Sequence, residues 1–281
     1  MIKSLSSLRL VCLLLLGSSV LAQQKKQKPP VQETKATLKK KVQTKFFGKK
    51  PIPFINTALT FAGPTTKIGR DGIQCDLPAA VSGKDGKALI SYLEWHGKTD
   101  RLILTRETEN GFQQVSGGVA KGVLHQPAIA IDGKGTAWIF WSETHGDTTV
   151  DLKARSWSAS KGFGSPLTLA DSDAAEAFVV AGTDSNGRVW ASWQSFRAGE
   201  ADIYARFLDP KSGKWSKEIA VATQQGGEWE PSIAFDQKGQ AWIVYDSSRG
   251  NEFNLNLARV NDQGQTKEFA IAHSPKYEAR A

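Results

Sequence analysis

Four glycines set the architecture of this chain. Gly86, Gly135, Gly187 and Gly239 recur at intervals of 49, 52 and 52 residues, each followed by an apolar residue three positions on and an aromatic six on. A unit of this length cannot bury its apolar face alone, so successive units must stack on one another. Each unit carries about four short strand-like runs, and stacking such units around an axis predicts an all-β fold, a β-propeller of four-stranded blades. The blades fall at about residues 76–120, 125–172, 176–224 and 228–273.

Within a unit, Pro78, Pro127, Val179 and Pro231 stand eight residues before the glycine and open the innermost strand. That strand ends at Asp132, Asp184 or Asp236, three before the glycine, where an Asp and a glycine with positive φ make a tight hairpin. The second strand alternates, as in Trp190-Ala191-Ser192-Trp193, so its aromatics belong to the packing between blades. A third run ends at Arg106, Arg155, Arg206 and Arg259; these arginines are expected to pair with the hairpin aspartates or with turn carbonyls. Blade four finishes near Ala272, and Glu278-Ala279-Arg280-Ala281 resembles Glu228-Trp229-Glu230-Pro231, the start of another inner strand. Two readings follow: the front part of a longer propeller, which the pattern favours, or four blades closed with help from residues 52–74.

The stretch before the repeats declares a compartment. Lys3 and Arg9 precede an apolar core from Leu10 to Leu16, and Val20-Leu21-Ala22 ends in small-residue cleavage geometry, so residues 1–22 read as a signal peptide. The core is shorter than the roughly 20 apolar residues of a membrane span. A periplasmic or extracellular protein is expected. Cleavage removes Cys12 and leaves Cys75 as the only cysteine, which excludes an internal disulfide; a buried, inert thiol is expected there.

Net charge +8 suggests nucleic acid until it is located. Residues 23–51 hold ten lysines against the single acid Glu33 and read as a disordered, Lys-rich linker, a solvated spacer with at most weak contact to anionic envelope polymers. Of 36 Lys and Arg, 12 lie up to Pro51, leaving 24 against 27 acidic residues in the propeller at 52–281. The domain itself is not basic, which argues against nucleic acid.

The runs Thr183-Asp184-Ser185-Asn186-Gly187-Arg188-Val189-Trp190 and Phe235-Asp236-Gln237-Lys238-Gly239-Gln240-Ala241-Trp242 resemble repeats of secreted bacterial propellers of the sialidase-like and TolB-like kind. The resemblance spans about Asp76 to Ala281 and implies the architecture; one such scaffold hosts hydrolases, lyases, binding modules and assembly proteins. The sialidase Asp-box would place its Asp two residues before the glycine, in a later hairpin. Sialidases also imply an arginine triad, an acid/base carboxylate and a tyrosine nucleophile. Here Tyr92 and Tyr245 take the repeated aromatic position and are expected in the core, Tyr204 lies within a third strand and Tyr277 near the end of the chain. No catalytic residue carries over.

Strand polarity places two sets of loops on one face. Ten residues after each glycine stand His96, His145, Arg197 and Arg249; eight after stand Glu94, Glu143, Ser195 and Ser247; Glu176, Glu228 and Glu278 hold matching crossover positions. One reading is structural, with Arg197, Arg249 and the glutamates clasping neighbouring blades. The other is a ligand-binding mouth, supported by aromatics that vary between blades: Trp95, Phe196 and Trp229. Rigid aromatics beside Arg and Glu suit sugar rings or a peptide loop. The expected site is therefore Trp95, His96, His145, Phe196, Arg197, Glu228, Trp229 and Arg249, with no cofactor. His96, His125 and His145 map to the rim but on loops about 10 Å apart or more, too far for zinc's short bonds, so no metal is expected. The expectation is a non-catalytic binding module for a carbohydrate or protein partner, with a glycan-active hydrolase or an accessory domain of a longer enzyme as the alternative.

Overall fold

The computed structural model describes residues 66–146, 149–249, 252–273 and 278. The signal peptide, the Lys-rich linker and the strand-like run Phe54–Phe61 lie outside these residues. The chain divides into Met1–Thr66 and Lys67–Ala281, and the second unit is the one described below.

No helix occurs among the described residues; they form four antiparallel sheets, one per repeat. Blade 1 comprises β1 (Gln74–Ser82), β2 (Ala88–Trp95), β3 (Asp100–Thr108), β4 (Gly111–Gln114) and β5 (Ala120–Gly122). Blade 2 comprises β6 (Leu124–Ile131), β7 (Ala137–His145), β8 (Thr149–Ser158), β9 (Gly162–Phe163) and β10 (Leu167–Ala170). Blade 3 comprises β11 (Glu176–Thr183), β12 (Val189–Ser195), β13 (Asp202–Asp209), β14 (Lys214–Trp215) and β15 (Ile219–Ala222). Blade 4 comprises β16 (Gly227–Phe235), β17 (Ala241–Arg249), β18 (Glu252–Val260) and β19 (Thr266–Ala272). The innermost strands β1, β6, β11 and β16 lie side by side in chain order, which gives the propeller its axis. The fourth strand is a single run only in blade 4; in the other three it is broken into two short pieces on the same third strand.

Each hairpin after an innermost strand is built as its sequence requires. Asp132, Asp184 and Asp236 each accept backbone N–H bonds from the residues two and four further on, through Oδ1 at 2.8–3.0 Å. The glycines three positions on have φ between 75° and 85°, which a side chain resists. The aspartates thus serve their own turns, and the third-strand arginines go elsewhere. Arg155 donates to the carbonyls of Gly164, Gly118 and Val119, and Arg106 meets Asp85. The strand register explains the divergence: Arg155 and Arg206 lie opposite Ile139 and Ala191, whereas Arg106 and Arg259 lie one step along, opposite Leu89 and Trp242. A one-residue offset turns a side chain to the other face of the sheet.

Three apolar cores join the four blades. Leu102 and Leu104 of blade 1 meet Ile139 and Trp141 of blade 2; Phe140 and Leu152 of blade 2 meet Trp193 of blade 3; Trp190 and Ile203 of blade 3 meet Ile243 and Tyr245 of blade 4. The repeated aromatics Tyr92, Trp141, Trp193 and Tyr245 are all buried. Full burial of side chains this size contributes about 1.5–3 kcal/mol each. Among the described residues no comparable cluster joins blade 4 to blade 1. At the C-terminal side, the Glu278 N–H donates to the Phe253 carbonyl at 3.1 Å, matching the 2.7 Å bond from Glu228 to Ala201 one blade earlier. Glu278 therefore makes the backbone bond that Glu228 makes at the equivalent repeat position.

Candidate functional site

Every innermost strand carries the same irregularity at the same end. The register slips between Asp76 and Ala79, His125 and Ala128, Ala177 and Val180, and Trp229 and Ser232. Inside each bulge one non-glycine residue is left-handed: Leu77 (φ 49°), Gln126 (21°), Phe178 (54°) and Glu230 (49°). Three of the four precede a proline, which restricts them further. Such backbone costs on the order of 1–3 kcal/mol per residue, and bulges re-aim side chains next to sites. These residues line two depressions on one face of the propeller.

The first, about 270 Å³, is walled by Gln74, Asp76, Leu77, Leu93, Trp95, Asp100 and Leu124. Trp95 is 44% exposed at the end of β2, a large aromatic left partly open to solvent in the wall of this depression. Two carboxylates enter this depression. Asp76 accepts the Leu77 N–H on Oδ1 at 2.7 Å, and Asp100 accepts the Leu124 N–H on Oδ2 at 3.1 Å. The second depression, about 410 Å³, lies on the axis between β6, β11 and β16, and is lined by Gln126, Phe178, Val180, Glu230, Pro231 and Ser232. The Glu230 N–H is fixed by Gln194 Oε1 at 3.2 Å.

The cations expected at the rim are committed elsewhere. Arg197 reaches Glu176 at 2.9 Å and Glu218 at 2.5 Å, and Arg249 reaches Glu228 at 3.3 Å and Glu268 at 2.8 Å. All these partners belong to the arginine's own blade, so the clasp between neighbouring blades is corrected to one that ties the strands of a single blade. In blade 1 the equivalent carboxylate, Glu94, is bonded by Arg70 and lies 3.2 Å from His96. Burial works to raise the Glu94 carboxyl, but Arg70 and His96 overcome it and hold Glu94 below its usual range. Arg197 is likewise opposed by burial and nevertheless raised by Glu218 and Glu176.

The register shows one carboxylate per blade at a single cross-strand pair. Cys75 faces Glu94 and Leu124 faces Glu143, whereas Glu176 faces Ser195 and Glu228 faces Ser247. The glutamate has changed strands between blades 2 and 3 without leaving the pair. The aromatic two residues before the second-strand member reinforces it in two blades, through Trp141 Nε1 to Glu143 at 3.0 Å and Trp193 Nε1 to Glu176 at 2.6 Å.

Of the other expected site residues, Trp229 is half-buried and stacks on Phe253 with centroids 6.2 Å apart. Phe196 is half-buried, and its N–H donates to the Ala175 carbonyl at 3.0 Å. His145 is exposed and 3.5 Å from Asp151. His125 bonds Thr144. No group of three or more His, Cys, Asp or Glu suited to a metal occurs among the described residues. Cys75 is exposed, not buried as expected, because the first five residues of β1 are all exposed, whereas the equivalent position in blades 3 and 4 is fully buried. Asp76, Asp100 and the left-handed ring escaped the sequence reading. The X-Pro step shared by three of the four bulges was the available signal.

No protein-family model matches the chain, and no curated protein sequence matches it. In fold it is similar to the intramolecular trans-sialidase of Ruminococcus gnavus, at 9% identity and TM-score 0.54 over 72% of this chain and 71% of that one. The endo-arabinase of Bacteroides thetaiotaomicron aligns over 72% of this chain and 78% of its own, at 14% identity and TM-score 0.43. An α-L-arabinofuranosidase of Clostridium thermocellum aligns over 70% and 72%, at 17% and 0.41. The first of these supports the propeller architecture; likeness at such identity speaks to fold and leaves activity to the site.

Proposed function

We propose that this face of the propeller binds a neutral glycan, with one sugar ring seated on Trp95 and its hydroxyls donating to Asp76 and Asp100. The observation that carries the reading is Trp95, 44% exposed beside two carboxylates in one depression. A flat aromatic offers the C–H face of a pyranose or furanose a contact without a conformational cost, and carboxylate oxygens accept from hydroxyls. Neither depression is lined by Lys or Arg. That composition disfavours anionic sugars such as sialic acid, and the fold shared with a trans-sialidase is compatible with a glycan ligand of a different charge. Calorimetric titration with neutral arabino-, xylo- and manno-oligosaccharides tests the reading; Trp95→Ala abolishing a measured heat supports it, and no binding by any of them refutes it. A peptide loop could use the same ring, and competition by a peptide library would reveal it.

One observation favours hydrolysis over binding alone: Asp76 and Asp100 line the same depression, and glycosidases work with two carboxyl groups flanking one bond. Release of reducing ends from a bound oligosaccharide, lost in both Asp76→Asn and Asp100→Asn with binding retained, would make the protein an enzyme. Binding without release in the unaltered chain would leave it a binding module.

A further inference from the structure

Blades 3 and 4 place a buried glutamate at the same repeat position in very different company. Glu176 is saturated: Trp193, Ser195, Ser172 and Arg197 all donate to it at 2.6–3.1 Å. In blade 4 the indole is replaced by Tyr245, whose hydroxyl donates to Glu268 at 2.5 Å instead. Arg249 is drawn the same way, with two bonds of 2.8 Å to Glu268. Among the described residues Glu228 keeps only Arg249 Nη2, on Oε1 at 3.3 Å.

Its other oxygen, Oε2, is buried with no partner among the described residues, as are Ser247 Oγ and Asn254 Oδ1. These three belong together. Glu228 lies directly opposite Ser247, and Ser247 directly opposite Asn254, so the side chains form one row on one face of β16, β17 and β18. Directly opposed residues have Cβ atoms about 4.5–5.5 Å apart, within reach of a side-chain hydrogen bond. Glu228 is 0% exposed, Ser247 1% and Asn254 5%. In this structure none of the three atoms hydrogen-bonds another, so the row stands open; with Glu228 ionised it holds two acceptors and one hydroxyl proton, and at least one buried acceptor goes unserved. A proton on Oε2 supplies the donor the row lacks: with a small rotation of the three side chains toward one another, Oε2–H donates to Ser247 Oγ and Ser247 Oγ–H donates to Asn254 Oδ1.

We propose that Glu228 is a proton-binding site whose neutral form closes a relay through Ser247 to Asn254 across three strands of blade 4, and whose ionised form opens it. The groups that face it fit this role. Arg249 from β17 favours the ionised form; Asp202 from β13 and Glu268 from β19 oppose it; burial outweighs Arg249, and the Glu228 carboxyl is pushed up to about 7. Tyr245 from β17 is raised by burial and by Glu268, and stays neutral. Asp202 is itself raised by burial and by Glu200. The row adjoins the axial depression, since Trp229 and Glu230 follow directly in the chain and the Glu228 N–H holds the blade crossover on Ala201 at 2.7 Å.

The test is a carboxyl-carbon NMR titration of the full chain labelled at glutamate, with sequential assignment of Glu228. A midpoint above about 6, well over the usual glutamate value near 4.3, is expected, and one below it overturns the proposal. Ser247→Ala removes the acceptor of the neutral form, so proton affinity at Glu228 should fall about tenfold, one pH unit. A midpoint unmoved in folded Ser247→Ala refutes the relay. Should that variant fail to fold, Asn254→Leu takes its place: loss of the terminal acceptor lowers the same midpoint, and no change refutes the relay.

Discussion

Glu176→Gln and Glu228→Gln make the same chemical change at the same repeat position, and the structure assigns them opposite outcomes. Removing the charge of Glu176 strips a buried partner from Arg197 and turns an amide N–H₂ toward the guanidinium, although Glu218 remains on the other side at 2.5 Å. Breaking a buried ion pair from one side costs about 3–5 kcal/mol, and the surviving Glu218 contact argues for the low end, near 3. A domain of this size loses about 2–4 °C per kcal/mol, so the melting temperature should fall by about 6–12 °C. For Glu228 the sign is reversed. Its folded value of about 7 lies above its ordinary 4.5, so the native state binds the extra proton between those limits. That contribution is complete below pH 4.5 and is lost as pH rises through about 7, at no more than about 1.4 kcal/mol per pH unit. Glutamine mimics the neutral acid at every pH. Glu228→Gln should lie within about 1 kcal/mol of the unaltered protein at pH 5 and exceed it at pH 8, by at most about 3.4 kcal/mol. Urea unfolding of the three proteins at both pH values is the assay. Equal destabilisation by the two variants at pH 8 would refute the reasoning.

Three other outcomes are expected. Trp95→Ala should abolish oligosaccharide binding while changing stability by no more than about 0.5 kcal/mol, checked by titration and thermal unfolding on one preparation. Gly187→Ala should lower stability by about 2 kcal/mol or more, since φ is 75° and a Cβ would stand 2.7 Å from Gly133 Cα in the neighbouring blade; denaturant unfolding reads it. Leu77→Gly should raise stability by about 0.5–1 kcal/mol, because the left-handed strain at φ 49° disappears and the lost side chain is 42% exposed; unchanged or lower stability in urea would mean the bulge is held by Leu77 itself.

The fold was legible because its signals are local and repeat. An Asp, a glycine three residues later and an aromatic six beyond it fix a hairpin and a buried face, and the repetition of Gly86, Gly135, Gly187 and Gly239 carried the blade count. What escaped was set by register. Arg155 and Arg259 stand at equal spacing from their glycines yet point to opposite faces, an offset that residue counting cannot see. The partners of Arg197 and Arg249 were read as lying across the seam between blades. They lie instead on each arginine's own sheet, because Glu218 and Glu268 precede or lie within the outer strand, a distance of about twenty residues along the chain and one strand in space. Asp76 and Asp100 carry no motif; only the bulge in β1 and the start of β3 bring them to one depression.

The glutamate that crosses from one strand to its neighbour between the second and third repeats has a bearing on how such chains diverge. What duplication preserved is a contact and not a column of an alignment: Cys75 with Glu94, Leu124 with Glu143, Glu176 with Ser195 and Glu228 with Ser247 are four spellings of one carboxylate. A profile that scores each position independently penalises both members of every swapped pair, so relatives of this propeller would look more distant than they are. Transplanting the pair whole, Leu124→Glu together with Glu143→Ser, changes two columns and keeps the contact, whereas either change alone gives the pair two carboxylates or none.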